Sequence, residues 1–326
     1  MMAVVVTEPG GPEKLALQEV PDPQPGPGEL LVRVRATALN RADLLQRRGL
    51  YPPPPGAPPY LGLEMAGEVL AAGPGVSGWQ QGDRVFALLA GGGYAQKVVI
   101  PAAMALPMPP NLSFEEAAAI PEAFLTAYRN LFDLGRLRAG ETVLIHAGAS
   151  GVGTAAIQLA RRAGARVFVT ARTPEKLAGC RQLGAELAFD GREPGLVQRV
   201  LEATGGRGVD VILELVGASF WEEDLAMLAP GGRLLLVGLM GGSRASLDLQ
   251  RVLQGNLQII GSTLRSQSPA LKADLSRRFW ADCQEAFQRG ELRAVVDSSF
   301  PLERVADAHR YMEANKNFGK VVLRVP

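Results

Sequence analysis

Hydrophobic and polar positions follow two different patterns along the chain. Up to about residue 120, short runs alternate apolar with polar residues, as in residues 30–39 and 67–73, and turn signals such as PGPG and AGGG interrupt them. Alternation with a period of two between Gly- and Pro-rich turns is typical of half-buried strands. The first part of the sequence therefore predicts a small, irregular β domain.

From about residue 121, apolar runs alternate with amphipathic segments of helical period. The pattern predicts strands over residues 142–147, 166–171, 209–216 and 232–239, and helices over residues 151–163 and 174–183. This alternation indicates a parallel, doubly wound sheet. A strand near residues 259–264, helical stretches and a closing strand over residues 320–325 follow, and the pattern leaves open which domain this tail joins.

The segment between the first strand and the first helix of this second part is rich in glycine and reads HAGASGVGTAAIQLARR. Gly148, Gly151 and Gly153 let the backbone turn sharply and approach a ligand without a Cβ in the way. The free N–H groups and the dipole of the following helix favour a pyrophosphate there. Ser150 replaces the middle glycine of the dinucleotide fingerprint. It either bonds a phosphate or the nicotinamide ribose, or is only a small residue that the turn tolerates.

The end of the second strand indicates which dinucleotide binds. NAD enzymes place Asp or Glu about 20 residues past the glycines, and here that place holds Arg172. Thr173 is a candidate N-cap followed by Pro174 at the first helical position, with Lys176 one turn inside. This set suits a 2′-phosphate and predicts NADPH. The Glu175 carboxylate disfavours a 2′-phosphate, unless its role is to complement the helix dipole. The alternative is that Arg172 and Lys176 are only surface charges.

Composition argues against nucleic-acid-binding, disulfide-rich and membrane-spanning classes of protein. The 326 residues are enough for two domains. Lys plus Arg (34) nearly equals Asp plus Glu (33), so no net field attracts nucleic acid or an anionic membrane. Cys180 and Cys283 cannot form a disulfide framework. Because no signal-peptide pattern and no apolar run of about 18 residues is present, we expect a cytoplasmic protein without nucleic-acid or membrane partners.

Further motifs lie along the whole chain. They read ALNRADLLQRRGLYP (38–52), GLEMAGEV (62–69), GDRVFALL (82–89), AAAIPEAFLTAY (117–128), GVDVILELVG (208–217), GRLLLVGLMGG (232–242) and GKVVL (319–323). Together with the glycine turn, they resemble the medium-chain dehydrogenase/reductase superfamily and its quinone oxidoreductase (zeta-crystallin-like) branch. IHAGASGVGTAAIQ and YMEANKNFGK are most similar to the p53-inducible quinone oxidoreductases.

The resemblance implies an α/β fold in which a Rossmann doubly wound parallel sheet is joined to a GroES-like β-rich domain. Residues 1–121 and 265–326 would form the GroES-like catalytic domain, and residues 122–264 the Rossmann NADPH-binding domain. The strand near residues 257–264 would pair across a two-fold axis, giving a homodimer. One departure concerns the 2′-phosphate, because Gly191, followed by Arg192, stands where the family usually has Tyr.

The resemblance also implies the site residues. The implied catalytic residues are Tyr51, Asn40 and Ser150. The implied cofactor-binding residues are Asn40, Asp43, Tyr51, Thr126, Gly148, Ser150, Gly151, Val152, Gly153, Arg172, Thr173, Lys176, Gly217, Gly238, Leu239, Met240, Gly241, Ser262, Thr263, Leu264 and Lys320. Tyr51 would stack, donate a hydrogen bond or only close the pocket, unless it is a loop anchor among prolines. Asp43 is equally well explained as a structural turn acid.

No zinc is expected. Zinc alcohol dehydrogenases of the superfamily use a Cys and the His of a GHE motif, where this chain has Asn40 and Leu63. A catalytic zinc needs about three N, S or O ligands, and the histidines, His146 and His309, are the only two. Glu64 alone cannot hold the metal and is interpreted as a buried structural acid, and His146 as a core histidine.

Without a metal, alcohol oxidation lacks a route to the alkoxide. An electron-poor quinone or enone accepts hydride without one, provided that the protein holds donor and acceptor in contact and offers hydrogen bonds to the acceptor oxygen. The sequence therefore predicts an NADPH:quinone oxidoreductase. The alternatives are an enoyl-thioester reductase on the same scaffold and a non-enzymatic, crystallin-like protein that binds the cofactor.

Overall fold

The computed structural model describes residues 1–326. The chain divides into two compact units. Unit 1 consists of Met1–Leu125 and Arg265–Pro326, and unit 2 of Thr126–Leu264. None of the helices combines the length and the apolar character that crossing a membrane requires.

The chain forms strands and helices as follows. The strands are β1 (Met2–Val6), β2 (Leu15–Glu19), β3 (Glu29–Ala38), β4 (Glu64–Ala72), β5 (Arg84–Leu88), β6 (Lys97–Pro101), β7 (Leu106–Pro107), β8 (Thr142–Ile145), β9 (Arg166–Ala171), β10 (Leu187–Asp190), β11 (Val209–Glu214), β12 (Leu228–Leu236), β13 (Gln258–Gly261), β14 (Val296–Pro301) and β15 (Lys320–Arg324). The α-helices are α1 (Arg41–Arg47), α2 (Phe114–Ala118), α3 (Pro121–Tyr128), α4 (Gly151–Arg162), α5 (Pro174–Leu183), α6 (Leu196–Ala203), α7 (Trp221–Met227), α8 (Leu249–Gly255), α9 (Pro269–Gln288) and α10 (Val305–Glu313).

Unit 2 is built on a six-stranded parallel sheet in the order β10-β9-β8-β11-β12-β13. This is the Rossmann order, in which strand order reverses beside the first strand. Every residue of β8 and β11 is buried, as expected of parallel strands covered by helices on both faces. The predicted α/β fold is confirmed.

The helix starts of unit 2 follow from local sequence. The Ser150 hydroxyl accepts a hydrogen bond from the Gly153 N–H at 3.0 Å and caps α4. Thr173 caps α5, Pro174 occupies its first position, and Gly184, with φ of 114°, ends it. The two caps accept hydrogen bonds from N–H groups that have no partner within the helix. Gly184 ends α5 in a left-handed conformation that is strained for other residues.

Several predicted strand boundaries were wrong. Strands β8, β11 and β12 end at Ile145, Glu214 and Leu236 rather than at residues 147, 216 and 239, and β12 begins at Leu228 rather than at residue 232. The strand expected near residues 259–264 ends at Gly261. Ser262, Thr263 and Leu264 therefore follow the strand as irregular backbone. The Ser262 N–H still donates to the carbonyl of Leu236 at 2.9 Å, which ties the segment to the end of β12.

Unit 1 is built on a seven-stranded sheet in the order β14-β15-β3-β4-β5-β7, with β6 also paired to β3. Buried residues alternate with partly exposed ones along most of β3. Its inward side chains join a core with others from β4 and β15, such as Val34, Met65 and Leu323. The C-terminal tail belongs to this unit, because β15 pairs antiparallel with β3 through Val322 and Ala38.

Candidate functional site

The glycine turn after β8 forms a tight cradle in unit 2. Ala147 has a positive φ of 49°, and a Cβ on Gly153 would lie 2.5 Å from the Ala147 carbonyl oxygen. The start of α4 can approach the turn this closely only with glycine at that position. The free N–H groups of this twelve-residue helix face the turn, so the cradle fits a pyrophosphate.

Ser150 has a role that the sequence interpretation missed. Its hydroxyl oxygen is the N-cap acceptor of α4, and its backbone N–H donates to Ala147. The hydroxyl hydrogen is left to donate to a ligand, because a hydroxyl carries one donor besides its acceptor lone pairs. A serine directly before the first helical residue is the signal that points to this cap.

The end of β9 presents positive charge and a helix N-terminus. Arg172 is exposed and forms no ion pair. Thr173 Oγ1 accepts from the Lys176 N–H at 3.4 Å, as predicted for an N-cap. Hydrogen bonds from its own backbone N–H and from Thr173 lower the pKa of Glu175. Glu175 therefore complements the start of α5, and Arg172 is left for an anionic ligand.

The departure at Gly191 has a physical explanation. The Gly191 N–H donates to Ala171 at the end of β9, at 3.0 Å. A Cβ at this position would meet the ring of Phe220 at 3.1 Å, so Phe220 leaves little room for a side chain here. Arg192 pairs with Asp190 at 2.7 Å and is engaged there.

The loops after β11 and β12 pack closely against each other. Gly217, with φ of 106°, has no room for a side chain, since a Cβ would lie 2.9 Å from Leu239 Cα. The Gly241 N–H donates to Val216 at 2.6 Å. The predicted residues Gly217 and 238–241 are therefore brought together. Leu239 and Met240 expose 58% and 55% of their surface, so this loop presents both backbone and apolar side chains.

The remaining predicted residues of unit 2 lie along its edge. Arg129 donates to the Thr263 carbonyl at 3.0 Å and contacts Ser262 Oγ. Thr126 and Leu264 are buried, whereas Val152 is half-buried in the first turn of α4. The Thr126 carbonyl accepts a hydrogen bond from Asn130 inside its helix. Thr126 thus has no side chain at the surface for direct ligand contact.

A buried polar cluster lies behind the loop that follows β11. His146 bonds Thr170 through Nδ1 at 2.9 Å and Asp224 through Nε2 at 2.7 Å. Glu214 Oε1 accepts the N–H groups of Val216 and Gly217. Burial raises the pKa of both Glu214 and Asp224 and lowers that of His146, so burial favours the neutral form of all three side chains. His146 is a core residue whose cluster positions the Gly217 loop.

In unit 1, Asn40, Glu64 and Lys320 meet at a buried ion pair. Lys320 Nζ lies 2.7 Å from Glu64 Oε1 and donates to Asn40 Oδ1 at 2.6 Å. The Asn40 amide donates to Glu64 at 2.8 Å, and the Glu122 N–H donates to Glu64 Oε2 at 2.8 Å. Glu64 is fully buried. The Lys320 ammonium thus contacts both Asn40 and Glu64. Asn40 matches the Cys ligand of the zinc enzymes, and Glu64 matches the acid of their GHE motif.

Asp43 is held by two backbone N–H groups. Its carboxylate accepts the N–H groups of Asn40 at 2.8 Å and Gly62 at 3.0 Å. Burial raises its pKa to about 6, against those two hydrogen bonds. The geometry matches a structural acid that closes the start of α1. Asp43 shapes the site through Asn40, whose side chain it leaves free to bond Glu64 and Lys320.

His309 is fixed in one tautomer by a buried arginine. Arg47, which has no exposed surface, donates to His309 Nδ1 at 3.0 Å. Arginine only donates, so Nδ1 accepts, and the Nε2 proton points toward the Tyr94 hydroxyl at 3.4 Å. Burial and the nearby Arg47 charge lower the pKa of His309 to about 3. Neither histidine is available as a metal ligand at Asn40.

Tyr51 lies half-buried at the start of the proline loop, beside residues that the sequence interpretation missed. The Arg265 guanidinium lies 5.3 Å from the centre of its ring and donates to Gln46 at 2.6 Å and to the Ala90 carbonyl at 3.1 Å. Lys272 donates to the Arg265 carbonyl at 3.2 Å. Burial raises the pKa of the Tyr51 phenol. Arg265 and Lys272 carry no motif, so only the folded chain brings them to Tyr51.

Comparison with known proteins decides the family. Residues 26–110 match the alcohol dehydrogenase GroES-like domain, and residues 151–280 match the zinc-binding dehydrogenase model. The quinone oxidoreductase of Rattus norvegicus is 34% identical, with 99% of this chain and 97% of that protein aligned. The chain belongs to the medium-chain dehydrogenase/reductase superfamily.

Other relatives have different names. The synaptic vesicle membrane protein VAT-1 homolog of Rattus norvegicus is 35% identical over 99% of this chain and 84% of its own length. The phthioceranic/hydroxyphthioceranic acid synthase of Mycobacterium tuberculosis is 36% identical over the whole chain, which spans only 15% of that protein. The superfamily makes this chain an oxidoreductase and points to a nicotinamide cofactor. The p53-inducible branch stays a prediction.

Solved structures of the superfamily superpose closely. An NAD-dependent alcohol dehydrogenase is 38% identical with a TM-score of 0.90, both chains being covered completely. A mycobacterial protein complexed with NADPH is 34% identical, TM-score 0.90, with 99% of each chain covered. CurK enoyl reductase is 31% identical, TM-score 0.89, covering 100% of this chain and 99% of the other.

We expect Lys320→Met to destabilise unit 1 by about 3–5 kcal/mol, because it leaves the Glu64 carboxylate buried without a counter-charge. Urea denaturation followed by tryptophan fluorescence in a Trp221→Phe background, which leaves Trp79 and Trp280 of unit 1 as the reporters, measures the loss. Lys316→Met, at an exposed lysine nearby, is the control and should change stability by less than about 0.5 kcal/mol. A double variant with Glu64→Gln should recover part of the loss. Equal stability of Lys320→Met and the unmodified protein would contradict the assigned pairing.

Proposed function

We propose that this protein is an NADPH-dependent, zinc-free oxidoreductase that transfers hydride to quinones or other conjugated carbonyls. The observation that carries the proposal is the ammonium of Lys320, bonded to Asn40 and Glu64. A catalytic zinc needs about three N, S or O ligands. Asn40 and Leu63 replace two of them, and a cation already compensates Glu64. The donor set does not fit zinc, and without a Lewis acid an electron-poor acceptor is the better substrate.

Unit 2 would hold the cofactor with its own backbone. Gly148, Gly153 and the start of α4 would hold the pyrophosphate, with the Ser150 hydroxyl donating to it or to the adjoining ribose. The loop residues 238–241 and Ser262 to Leu264 would present backbone groups to the nicotinamide end. The bound dihydronicotinamide supplies a hydride. The buried cluster of His146, Glu214 and Asp224 would keep the Gly217 loop in place.

Unit 1 would bind the hydride acceptor. Tyr51 is half-buried, with Arg265 beside its ring and at its carbonyl. It can stack on a planar acceptor and donate a hydrogen bond to the oxygen on which charge develops, a contact that is worth more in the transition state than in the ground state. Asn40 is engaged by Lys320 and Glu64, so we assign it to positioning.

A second candidate is an enoyl-thioester reductase. It is favoured by the likeness to CurK enoyl reductase and to a segment of the phthioceranic acid synthase. Both reactions deliver hydride to a carbon conjugated with a carbonyl, so the same residues serve either one. They differ in the acceptor that the site must admit.

The test is NADPH oxidation with a panel of quinones, enones and enoyl thioesters, on protein dialysed against a strong chelator. We expect quinones or enones to have the highest kcat/KM and the chelator to leave the rate unchanged. Enoyl thioesters at the top of the panel would move the assignment to the second candidate. Loss of activity that zinc restores would contradict the metal-free mechanism. A protein that binds NADPH but reduces nothing would favour the non-enzymatic, crystallin-like role.

We expect wild-type protein to prefer NADPH over NADH by at least about tenfold, since Arg172 and Lys176 each offer a charge-assisted bond to the 2′-phosphate. Arg172→Ala and Lys176→Ala should each raise KM for NADPH and leave kcat nearly unchanged, because the contact is the same in ground and transition states. Steady-state kinetics with both cofactors measures the effect. NADH values should stay as in the wild type.

Arg138→Ala is the matched control, since Arg138 is an exposed arginine of the same unit away from the end of β9. It should alter neither cofactor's KM. An enzyme that prefers NADH, as the name of the NAD-dependent neighbour would suggest, or an Arg172/Lys176 double variant with unaltered preference, would overturn the assignment.

We also propose a cytoplasmic homodimer. Strand β13 is the last strand of its sheet and has one unpaired edge. On α8 beside it in the sequence, Leu249 and Leu253 are 72% and 77% exposed and share one helix face, being four residues apart. A sheet edge with exposed leucines is a self-association surface. Cys180 and Cys283 are free thiols, which suits a reducing compartment.

Sedimentation velocity should therefore show a dimer for wild-type protein. Leu249→Glu/Leu253→Glu should shift it to monomer, because two carboxylates would be buried at the interface. Leu50→Glu is the control, since Leu50 is comparably exposed at 69% but lies in unit 1. A wild-type monomer, or a dimer that the double variant leaves intact, would contradict this surface.

A further inference from the structure

Four basic residues of the chain are buried, all of them in unit 1, and they are of two kinds. Arg47 and Lys320 each form an ion pair with a glutamate. Arg265 and Lys272, with only 6% and 7% of their surface exposed, have no carboxylate oxygen within 4.0 Å. A buried charge is costly unless a counter-charge accompanies it. The second pair therefore lacks an anion that the first pair has.

The Arg265 guanidinium keeps one edge open for a ligand. Its Nε and Nη2 groups donate to the Ala90 carbonyl and to the Gln46 side chain at 2.6 to 3.3 Å. Its Nη1 group has only the Tyr51 carbonyl, 3.5 Å away, which is beyond the usual length of an N–H···O hydrogen bond. All of these acceptors are neutral. The two N–H donors at Nη1 are thus left for an anionic group.

Lys272 places a second positive charge next to Arg265. Its ammonium carries three donors and makes one hydrogen bond, to the Arg265 carbonyl at 3.2 Å. Lys272 is the fourth residue of α9, so the helix dipole disfavours its charge rather than stabilising it. Burial lowers the pKa of Lys272, and Glu122 opposes this shift without forming an ion pair with it. Neither the helix nor a carboxylate compensates the lysine.

Tyr51 offers a planar surface at the open edge of Arg265. The guanidinium carbon lies 5.3 Å from the centre of the Tyr51 ring. Tyr51 is half-buried, so part of it is accessible to a small molecule. An aromatic or conjugated molecule that stacks on the ring brings its substituents within reach of the Arg265 Nη1 group.

We infer that Arg265 recognises an anionic group on the hydride acceptor, with Lys272 holding the Arg265 backbone and adding positive charge. The inference rests on the proposed function and names the class of substrate. This class is a quinone or enone that bears a carboxylate or another anionic oxygen group. The conjugated part would lie on Tyr51, and the anion would accept hydrogen bonds from Nη1. The substrate thereby supplies the counter-charge that the chain itself does not provide.

The experiment compares neutral 1,4-naphthoquinone with 1,4-naphthoquinone-2-sulfonate. The two differ in reactivity, so the measured quantity is how a substitution changes the ratio of their kcat/KM values. Arg265→Gln should lower the ratio of sulfonate to neutral quinone by about tenfold or more, because a charge-assisted hydrogen bond is lost. The change should lie in KM for the sulfonate, since the substituent takes no part in hydride transfer. Arg265→Lys should keep part of the preference, because it retains the charge without the planar fork.

Two further variants serve as a test of Lys272 and as a control. Lys272→Gln should lower the same ratio by a smaller factor, because it removes a charge that does not touch the substrate. Arg33→Gln, at an exposed arginine of β3 in the same unit, is the matched control and should leave the ratio unchanged. The thermal midpoint of every variant checks that it is folded.

A second readout does not depend on turnover. Isothermal titration calorimetry, with NADP⁺ in excess, compares naphthalene-2-sulfonate with the neutral naphthalene-2-sulfonamide. Wild-type protein should bind the sulfonate at least about tenfold more tightly. Arg265→Gln should abolish this difference, and Arg33→Gln should keep it. Equal affinity of the wild type for both compounds would contradict the anion site.

The outcomes separate this inference from the proposed function. Wild-type protein that reduces no member of the acceptor panel refutes the function, while the calorimetry still decides on the anion site. Active wild-type protein whose ratio survives in Arg265→Gln refutes the inference alone. An equal loss for both quinones would assign Arg265 to the oxygen charge that develops during the reaction, and would overturn a role in substrate choice.

A last comparison identifies the source of the anion. Crotonyl-coenzyme A carries phosphates far from its conjugated carbonyl, whereas the crotonyl thioester of N-acetylcysteamine carries none. We expect Arg265→Gln to leave the ratio of their kcat/KM values unchanged. A preference for the coenzyme A thioester that depends on Arg265, without one for the sulfonated quinone, would assign the site to a carrier phosphate and overturn the inference.

Discussion

The ion pair between Glu64 and Lys320 is the constraint on which unit 1 depends. Glu64 carries a full negative charge away from water, and such a charge is tolerated only with a counter-charge and with hydrogen bonds to its remaining lone pairs. Lys320 supplies the charge, and the side chain of Asn40 and the backbone of Glu122 supply the bonds. One carboxylate therefore fixes the last strand, the start of α1 and the start of α3.

The same pair also sets the electrostatics of the candidate acceptor site. Lys320 compensates the charge of Glu64. Asp43 and Glu122, which lie in the same cluster, remain shielded from water. Their raised pKa values, about 6 and about 8, differ because Asp43 accepts two backbone hydrogen bonds that favour its ionised form. Two acids of one cluster thus acquire different protonation states near neutral pH.

The sequence predicts unit 2 well because the relevant signals are local. The ends of β9 and α5 follow from an apolar run, a Thr-Pro cap and a glycine stop, and the glycine turn follows from contacts over a few residues. The predicted end of β13 was wrong, because the apolar Ile259 and Ile260 indicate a strand but do not show where its pairing with β12 ends, which is at Gly261. In unit 1, Asn40 and Tyr51 were found through motifs. Glu122 and Arg265 were missed, since their contacts join residues more than fifty positions apart. Lys272 was missed with Arg265, whose carbonyl it bonds.

The split of unit 1 around unit 2 has a consequence for folding during synthesis. All residues of unit 2 leave the ribosome before Lys320 does, and units of this kind fold as they emerge. While more than two hundred further residues are synthesised, the first part of unit 1 therefore lacks the counter-charge for the Glu64 carboxylate. During that interval β3 also lacks its β15 partner. The nascent chain consequently exposes an incomplete sheet edge for most of its translation, which is the period in which a chaperone would be needed.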